Sequence, residues 1–234
     1  MGSVDDFRFS YSASDAKGLL FVLLGFEFLL VLGYILTHII APGPGWGPIP
    51  RFLDVDREVS VPTWFSSIQL FAVAVVLLMQ APWAKQLRIF LLLLGIGFLF
   101  LSMDEAVGLH DSIRRSAQRL ELRWFQRTQG VPFLVWMVLY GCIGVIGLLT
   151  NYRSILILWR NFRREVVWVA VGGAVFVAGG IGGEVLSGYL WRIAVDERFF
   201  LTVGAEEFLE MARVSIMLYG FMLLGIRIQS EIST

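Results

Sequence analysis

The sequence predicts an all-α, polytopic integral membrane protein with about six transmembrane helices in one domain, residues 1–234. The first observation is composition: 57% of the 234 residues are hydrophobic and only 16% are charged, which is too apolar for a soluble domain of this length. The second is that apolar residues run in stretches of about 20, enough to cross a ~30 Å hydrocarbon core. The third is that the stretches lack the alternation of a β-barrel, so helices that satisfy their own backbone groups are expected.

The predicted spans follow in chain order. Residues 17–40 form the first, and because no clean small-x-small cleavage site follows, the sequence favours a retained helix over a signal peptide. Trp64 and Trp83 bracket the second, as side chains at the membrane interface do. The remaining spans are predicted at 63–82, 88–109, 131–150, 166–190 and 204–228.

Three other segments carry their own signals. Residues 41–62 are rich in proline and glycine and predict a loop. Residues 111–129 place arginines on one side and apolar residues at three- and four-residue steps on the other, which predicts an amphipathic helix between the third and fourth spans. Gly179 and Gly183 of the glycine-rich fifth span favour close helix packing. The amphipathic helix and the fifth span are the expected contacts with other membrane subunits.

Charge gives the broad class of partner. Nineteen acidic residues balance nineteen Lys and Arg, so nothing indicates nucleic acid, and the expected partner is the lipid bilayer. Basic residues are divided evenly between the two sides, but residues 151–164 are basic without any acid. This segment favours an N-terminus on the inside, and we expect a bacterial inner membrane.

Two stretches concentrate the ionisable residues. The third span ends in Leu101–Asp111, and the last span begins with Glu206–Arg213. Ionisable groups inside membrane helices are costly and mark a functional site by default. At 1.5 Å per residue, alternating spans bring both stretches, together with His38 and Glu184, to a similar depth near one face. Glu27 alone lies near mid-bilayer, where it is a candidate proton relay.

The leading interpretation is a metal-binding site like that of a metalloenzyme. It would hold a divalent metal or a di-metal centre of iron, manganese or zinc. The inventory is similar in kind to that of helical di-iron proteins, but their Glu-x-x-His pattern is absent. Arg213 is the expected charge partner, since a buried cation requires a carboxylate. The predicted ligands are Glu105, His110, Glu206, Glu207 and Glu210, with His38, Asp104, Asp111 and Glu184 as supporting or alternative ligands.

Three alternatives remain open at this stage. The protein is a non-catalytic accessory or scaffold subunit of a membrane complex, held together by acid–arginine pairs, or it provides a proton or cation pathway. Less favoured is a haem or chlorin bound between His38 and His110. No substrate or reaction is predicted.

Overall fold

The computed structural model describes residues 11–40, 52–55, 60–119, 134–176 and 199–232. This part of the chain is helical, with short turns and no strand. Its main helices are α1 (Ala13–Ile40), α2 (Val61–Gln80), α3 (Arg88–Val107), α4 (Leu109–Arg119), α5 (Leu134–Thr150), α6 (Tyr152–Asn161), α7 (Arg163–Phe176) and α8 (Phe199–Ile232).

Four of these helices, α1, α2, α3 and α8, are long and apolar enough to cross a membrane. The pair α5 and α6, bent by 70° at a short break, gives a fifth candidate if it is one span. The prediction of a helical integral membrane protein is therefore confirmed at the level of four to five spans. The predicted span 166–190 is described only as far as Phe176.

Local chemistry sets the helix ends that matter for the site. The Ser60 hydroxyl accepts a hydrogen bond from the Thr63 N–H at 3.3 Å, and Pro62 lies in the first turn of α2. Helix α3 ends at Gly108, which has φ 66° and donates its N–H to the Asp104 carbonyl at 2.8 Å. Such a left-handed residue stops a helix, so the arginine-rich segment starts as a separate helix, α4.

Helix α8 is at the centre of the described bundle and packs against α1, α2 and α7, while α2 and α3 form a helical hairpin. Gly172 of α7 lies so close to α8 that a Cβ there would sit 2.8 Å from the Arg213 carbonyl oxygen. The predicted Gly179 and Gly183 contact lies outside the described residues. An apolar layer lies between Gln69 and Gln80 of α2, where Val73, Ala74 and Leu77 have 0% exposure.

Candidate functional site

Glu27 lies at the centre of a hydrogen-bonded group that joins three helices. Its side chain is 0% exposed, and its Oε1 accepts from the Ser215 hydroxyl of α8 at 2.6 Å and from Gln69 Nε2 of α2 at 2.7 Å. Gln69 Nε2 also donates to Ser215 Oγ at 2.7 Å. We call Glu27, Gln69 and Ser215 the Glu27 cluster. Its members come from distant parts of the chain, so only tertiary packing brings them together.

The Glu27 cluster contains two buried acceptors that lack a partner. Within the described part of the chain, neither Glu27 Oε2 nor Gln69 Oε1 accepts a hydrogen bond. Buried polar atoms are nearly always bonded, and each exception requires an explanation. The two atoms belong to side chains that are already hydrogen-bonded to each other.

Asp104 is the second buried carboxylate, and it is fully engaged. Its Oδ1 accepts from the His110 backbone N–H at 2.8 Å and from the Tyr140 hydroxyl at 3.3 Å. Its Oδ2 lies 3.0 Å from His110 Nδ1. The left-handed Gly108 turns the chain so that Asp104, from the end of α3, caps the start of α4.

Next to this turn, Arg213 of α8 is paired with a carboxylate of its own helix. Arg213 Nη2 lies 3.5 Å from Glu210 Oε2 on the same helix, and the guanidinium lies 4.2 Å from the centre of the Phe176 ring. The Glu105 carboxyl interacts electrostatically with Glu210, Arg213, His110 and Asp104. The structure thus brings five predicted site residues together, and we call them the acidic layer: Asp104, Glu105, His110, Glu210 and Arg213.

A polar contact between α2 and α3 lies at a depth between the acidic layer and the Glu27 cluster. The hydroxyls of Ser67 and Ser102 donate to each other's backbone carbonyls, both at 2.8 Å, and so join α2 to α3. Ser102 precedes Asp104 by two residues, and Ser67 precedes Gln69 by two residues. Each two-residue step is about 3 Å along a helix. The two groups of residues therefore differ in depth by roughly one helical turn.

The opposite end of the bundle has its own polar contacts. Gln80 Nε2 donates to the Phe221 carbonyl at 2.8 Å, and the Tyr11 hydroxyl lies 3.4 Å from the Met222 carbonyl. Gln80 lies eleven positions after Gln69 on α2, a distance of about 16 Å along the helix. Val73, Ala74 and Leu77 lie in that interval. In the described residues, the Glu27 cluster is therefore closer in depth to the acidic layer than to Gln80.

The remaining predicted site residues lie away from the acidic layer or outside the described residues. His38 Nδ1 lies 3.0 Å from the Tyr34 carbonyl, and its ring stacks on Phe200 with centroids 5.2 Å apart. Glu206 and Glu207 are partly buried in the first turns of α8. The side chain of Asp111 and all of Glu184 lie outside the described residues, which contain no group of three or more His, Cys, Asp or Glu able to hold a metal ion. The metal site stays a prediction.

Sequence reasoning singled out Glu27 but not its binding partners. The available signal was the presence of Gln69 and Ser215 inside apolar spans, because uncharged polar groups in lipid also need partners. Which partner each would find depends on how the helices rotate and pack.

Comparison with known proteins places the chain in a family. No curated protein and no solved structure matches it. The model of a family described as "Domain of unknown function (DUF8692)" matches residues 19–224, which include the Glu27 cluster and the acidic layer. Since the match covers most of the 234 residues, the chain belongs to the DUF8692 family.

Proposed function

We propose that this protein is a proton-binding membrane protein in which Glu27 takes up and releases a proton through the acidic layer at one face. The observation that carries the proposal is the pair of unbonded acceptors, Glu27 Oε2 and Gln69 Oε1. A proton on Oε2 turns that atom into a donor. The carboxylic acid and the amide then pair through two hydrogen bonds, N–H to Oε1 and O–H to the amide oxygen, so one proton satisfies both orphaned atoms.

The charges around Glu27 support a proton. Its two hydrogen-bond partners, Gln69 and Ser215, are neutral. An ionised carboxylate in an apolar interior is costly unless a cation or several donors compensate it. Helix α2 contributes no ionisable side chain, and the charged groups nearest in depth on α3 and α8 are those of the acidic layer. An arriving proton removes the charge without requiring a counterion.

The proposed route begins at the acidic layer. Carboxylates and the imidazole of His110 bind and release protons, and the Ser67–Ser102 pair supplies hydroxyls that both donate and accept. Beyond Glu27, the apolar layer of Val73, Ala74 and Leu77 separates it from the opposite face. The proposal is therefore reversible binding from one face, and movement of a proton across the membrane would need that layer to open.

Infrared difference spectroscopy on protein in nanodiscs tests the proposal. The wild-type protein should show a pH-dependent carboxylic-acid carbonyl band that is lost in Glu27→Gln. Glutamine at position 27 should fold within about 1 kcal/mol of the wild type, because its amide N–H replaces the acid O–H. Glu231→Gln is the matched control, since Glu231 is half exposed and lies 3.6 Å from Arg227 near the end of α8. A wild-type spectrum that Glu27→Gln leaves unchanged would contradict proton binding at this residue.

Metal binding at the acidic layer is the second candidate. The specific observation in its favour is that Glu210 lies 3.5 Å from Arg213, while Glu105, on a different helix, interacts electrostatically with both. A divalent cation such as iron, manganese or zinc would offset the remaining negative charge. Elemental analysis of gently purified protein tests it: near-stoichiometric metal should be lost in Glu105→Gln and retained in Glu231→Gln. Metal-free protein would exclude this candidate and leave the proton proposal standing.

The proposal includes a finer topology. The protein has six spans, with residues 166–190 as the fifth and an arginine-rich helix between the third and fourth. It lies in a bacterial inner membrane with its N-terminus on the inner side. Reporter fusions at both termini should then report the inner side.

Two other results would favour the remaining alternatives. Co-purification of other membrane chains with a metal-free, proton-insensitive protein would favour the accessory-subunit interpretation. A Soret or chlorin absorption band would favour His38 and His110 as ligands.

A further inference from the structure

Helix α6 bends away from α5 at Asn151. The Asn151 side chain donates from Nδ2 to the Gly147 carbonyl at 2.9 Å, and the Thr150 hydroxyl donates to the Ile146 carbonyl at 2.8 Å. These bonds cap the end of α5, and α6 continues at 70° to it. Because α5 is apolar and exposed along most of its length, as a lipid-facing span is, a helix at this angle runs closer to the membrane plane.

The buried side of this segment packs on the bundle. Leu158 and Phe162 are 8% and 5% exposed and belong to the main apolar cluster. The depth of the segment follows from α7. Phe176, at the end of α7, has its ring centre 4.2 Å from the Arg213 guanidinium, and Arg163, at the start of α7, lies thirteen positions or about 20 Å from it along the helix. Helix α6 therefore lies at the membrane edge opposite the acidic layer.

The outward side combines aromatic and cationic groups. Tyr152 and Trp159 are 52% and 46% exposed. The guanidinium of Arg163 lies 5.2 Å from the Trp159 ring, and that of Arg153 lies 5.9 Å from the Tyr152 ring. Within the described residues no ion pair involves the exposed arginines of this segment, which we call the arginine surface: Arg153, Arg160, Arg163 and Arg164.

We propose that the arginine surface binds the phosphate headgroups of anionic phospholipids. Guanidinium groups bind phosphate through paired hydrogen bonds, and tyrosine and tryptophan favour the headgroup depth. Basic residues at a membrane edge are attracted to an anionic leaflet. The inference is independent of the proton proposal. The arginine surface would bind lipids of one leaflet, and the acidic layer would lie at the opposite face of the membrane.

Lipid competition on the full-length protein tests this surface. Protein in detergent is equilibrated with equal amounts of phosphatidylglycerol and phosphatidylcholine at low salt, and the bound lipids are counted by native mass spectrometry. The wild type should retain phosphatidylglycerol preferentially. The double variant Arg160→Gln/Arg164→Gln should lower that preference about 25-fold, or roughly fivefold for each cation removed, and added salt should weaken the wild-type preference.

Two comparisons make the result decisive. Arg160 and Arg164 are exposed, and among the described residues neither makes a ring contact or an ion pair, so their replacement should leave the fold intact. Arg227→Gln is the matched control, because it removes one exposed cation at the end of α8, where Glu231 lies 3.6 Å away. It should keep most of the preference. Equal preference in the double variant and the wild type, or an absence of preference in the wild type, overturns the proposal.

Discussion

Asp104 and Glu27 are both buried carboxyl groups, 5% and 0% exposed, yet their surroundings differ. The two oxygens of Asp104 face three donors, which come from the His110 backbone, the His110 ring and Tyr140. Glu27 receives both of its hydrogen bonds on one oxygen and none on the other. The structure completes Asp104 as part of a turn, whereas it leaves Glu27 one donor short. The comparison separates a structural carboxylate from a functional candidate.

Position along the helix explains the contrast. Asp104 lies where α3 ends, and the first N–H groups of α4 have no helical partners and therefore turn to its side chain. Glu27 lies in the middle of α1, where the backbone donors are used within the helix. Only side chains from other helices can reach it there, and Gln69 and Ser215 supply donors to one oxygen.

The largest expected effect comes from removing the structural carboxylate. Asp104→Ala should lower the free energy of unfolding by about 2–4 kcal/mol, because it leaves a helix N–H and the His110 ring without their acceptor. Glu105→Ala, one residue away on the same helix, should cost less than about 1 kcal/mol, because no hydrogen bond to Glu105 is present among the described residues. Denaturant unfolding in detergent measures both. Equal losses of unfolding free energy in the two variants would show that the hydrogen bonds of Asp104 do not stabilise the fold more than Glu105 does.

A backbone change should have the next largest effect on this turn. Gly108 has φ 66°, so Gly108→Ala should cost about 1–2 kcal/mol and loosen the contact between Asp104 and α4. Gly97 lies in the interior of the same helix, and a Cβ there would have open space around it. Gly97→Ala should therefore be neutral or stabilising by up to about 1 kcal/mol. The same unfolding assay compares them, and a loss of stability in both would point to a general intolerance of α3.

Apolar length made part of the fold predictable. The first predicted span, 17–40, corresponds to α1 (Ala13–Ile40), and the last, 204–228, lies within α8 (Phe199–Ile232). A run of apolar residues long enough for the bilayer is a property of the sequence itself. The expected depth of the two acidic stretches followed from the same rule, because consecutive spans must alternate in direction.

Features that depend on rotation and local bonding were not predictable in this way. The pairing of Glu27 with Gln69 and Ser215 requires three helices to present particular faces to one another. The separation of α3 from α4 depends on the left-handed conformation of Gly108, in a stretch whose composition also permits one continuous helix. The 70° bend after Thr150 occurs without proline and follows from side-chain bonds to the last carbonyls of α5.

The smallest expected effect concerns the polar contacts at the far end of the bundle. Burial raises the pKa of Tyr11 from its ordinary value of 10.0 to about 12. A folded-state pKa above the unfolded value means that the protonated phenol stabilises the fold. That contribution is fully present below pH 10 and is lost as the pH rises towards 12. Tyr11→Phe should therefore give a shallower fall in melting temperature over this pH range than the wild type, and Tyr152→Phe, at an exposed position, serves as the control.

The same measurement in a Glu27→Gln background tests whether the two polar regions are separate. Val73, Ala74 and Leu77 are fully buried between Gln69 and Gln80 and place an apolar layer between the Glu27 cluster and Tyr11. Effects of distant sites without shared partners add, so the shallower slope caused by Tyr11→Phe should be the same with either residue at position 27. A slope that changes with the residue at position 27 would mean that the apolar layer transmits a change in charge, and Glu27 would then be coupled to both faces.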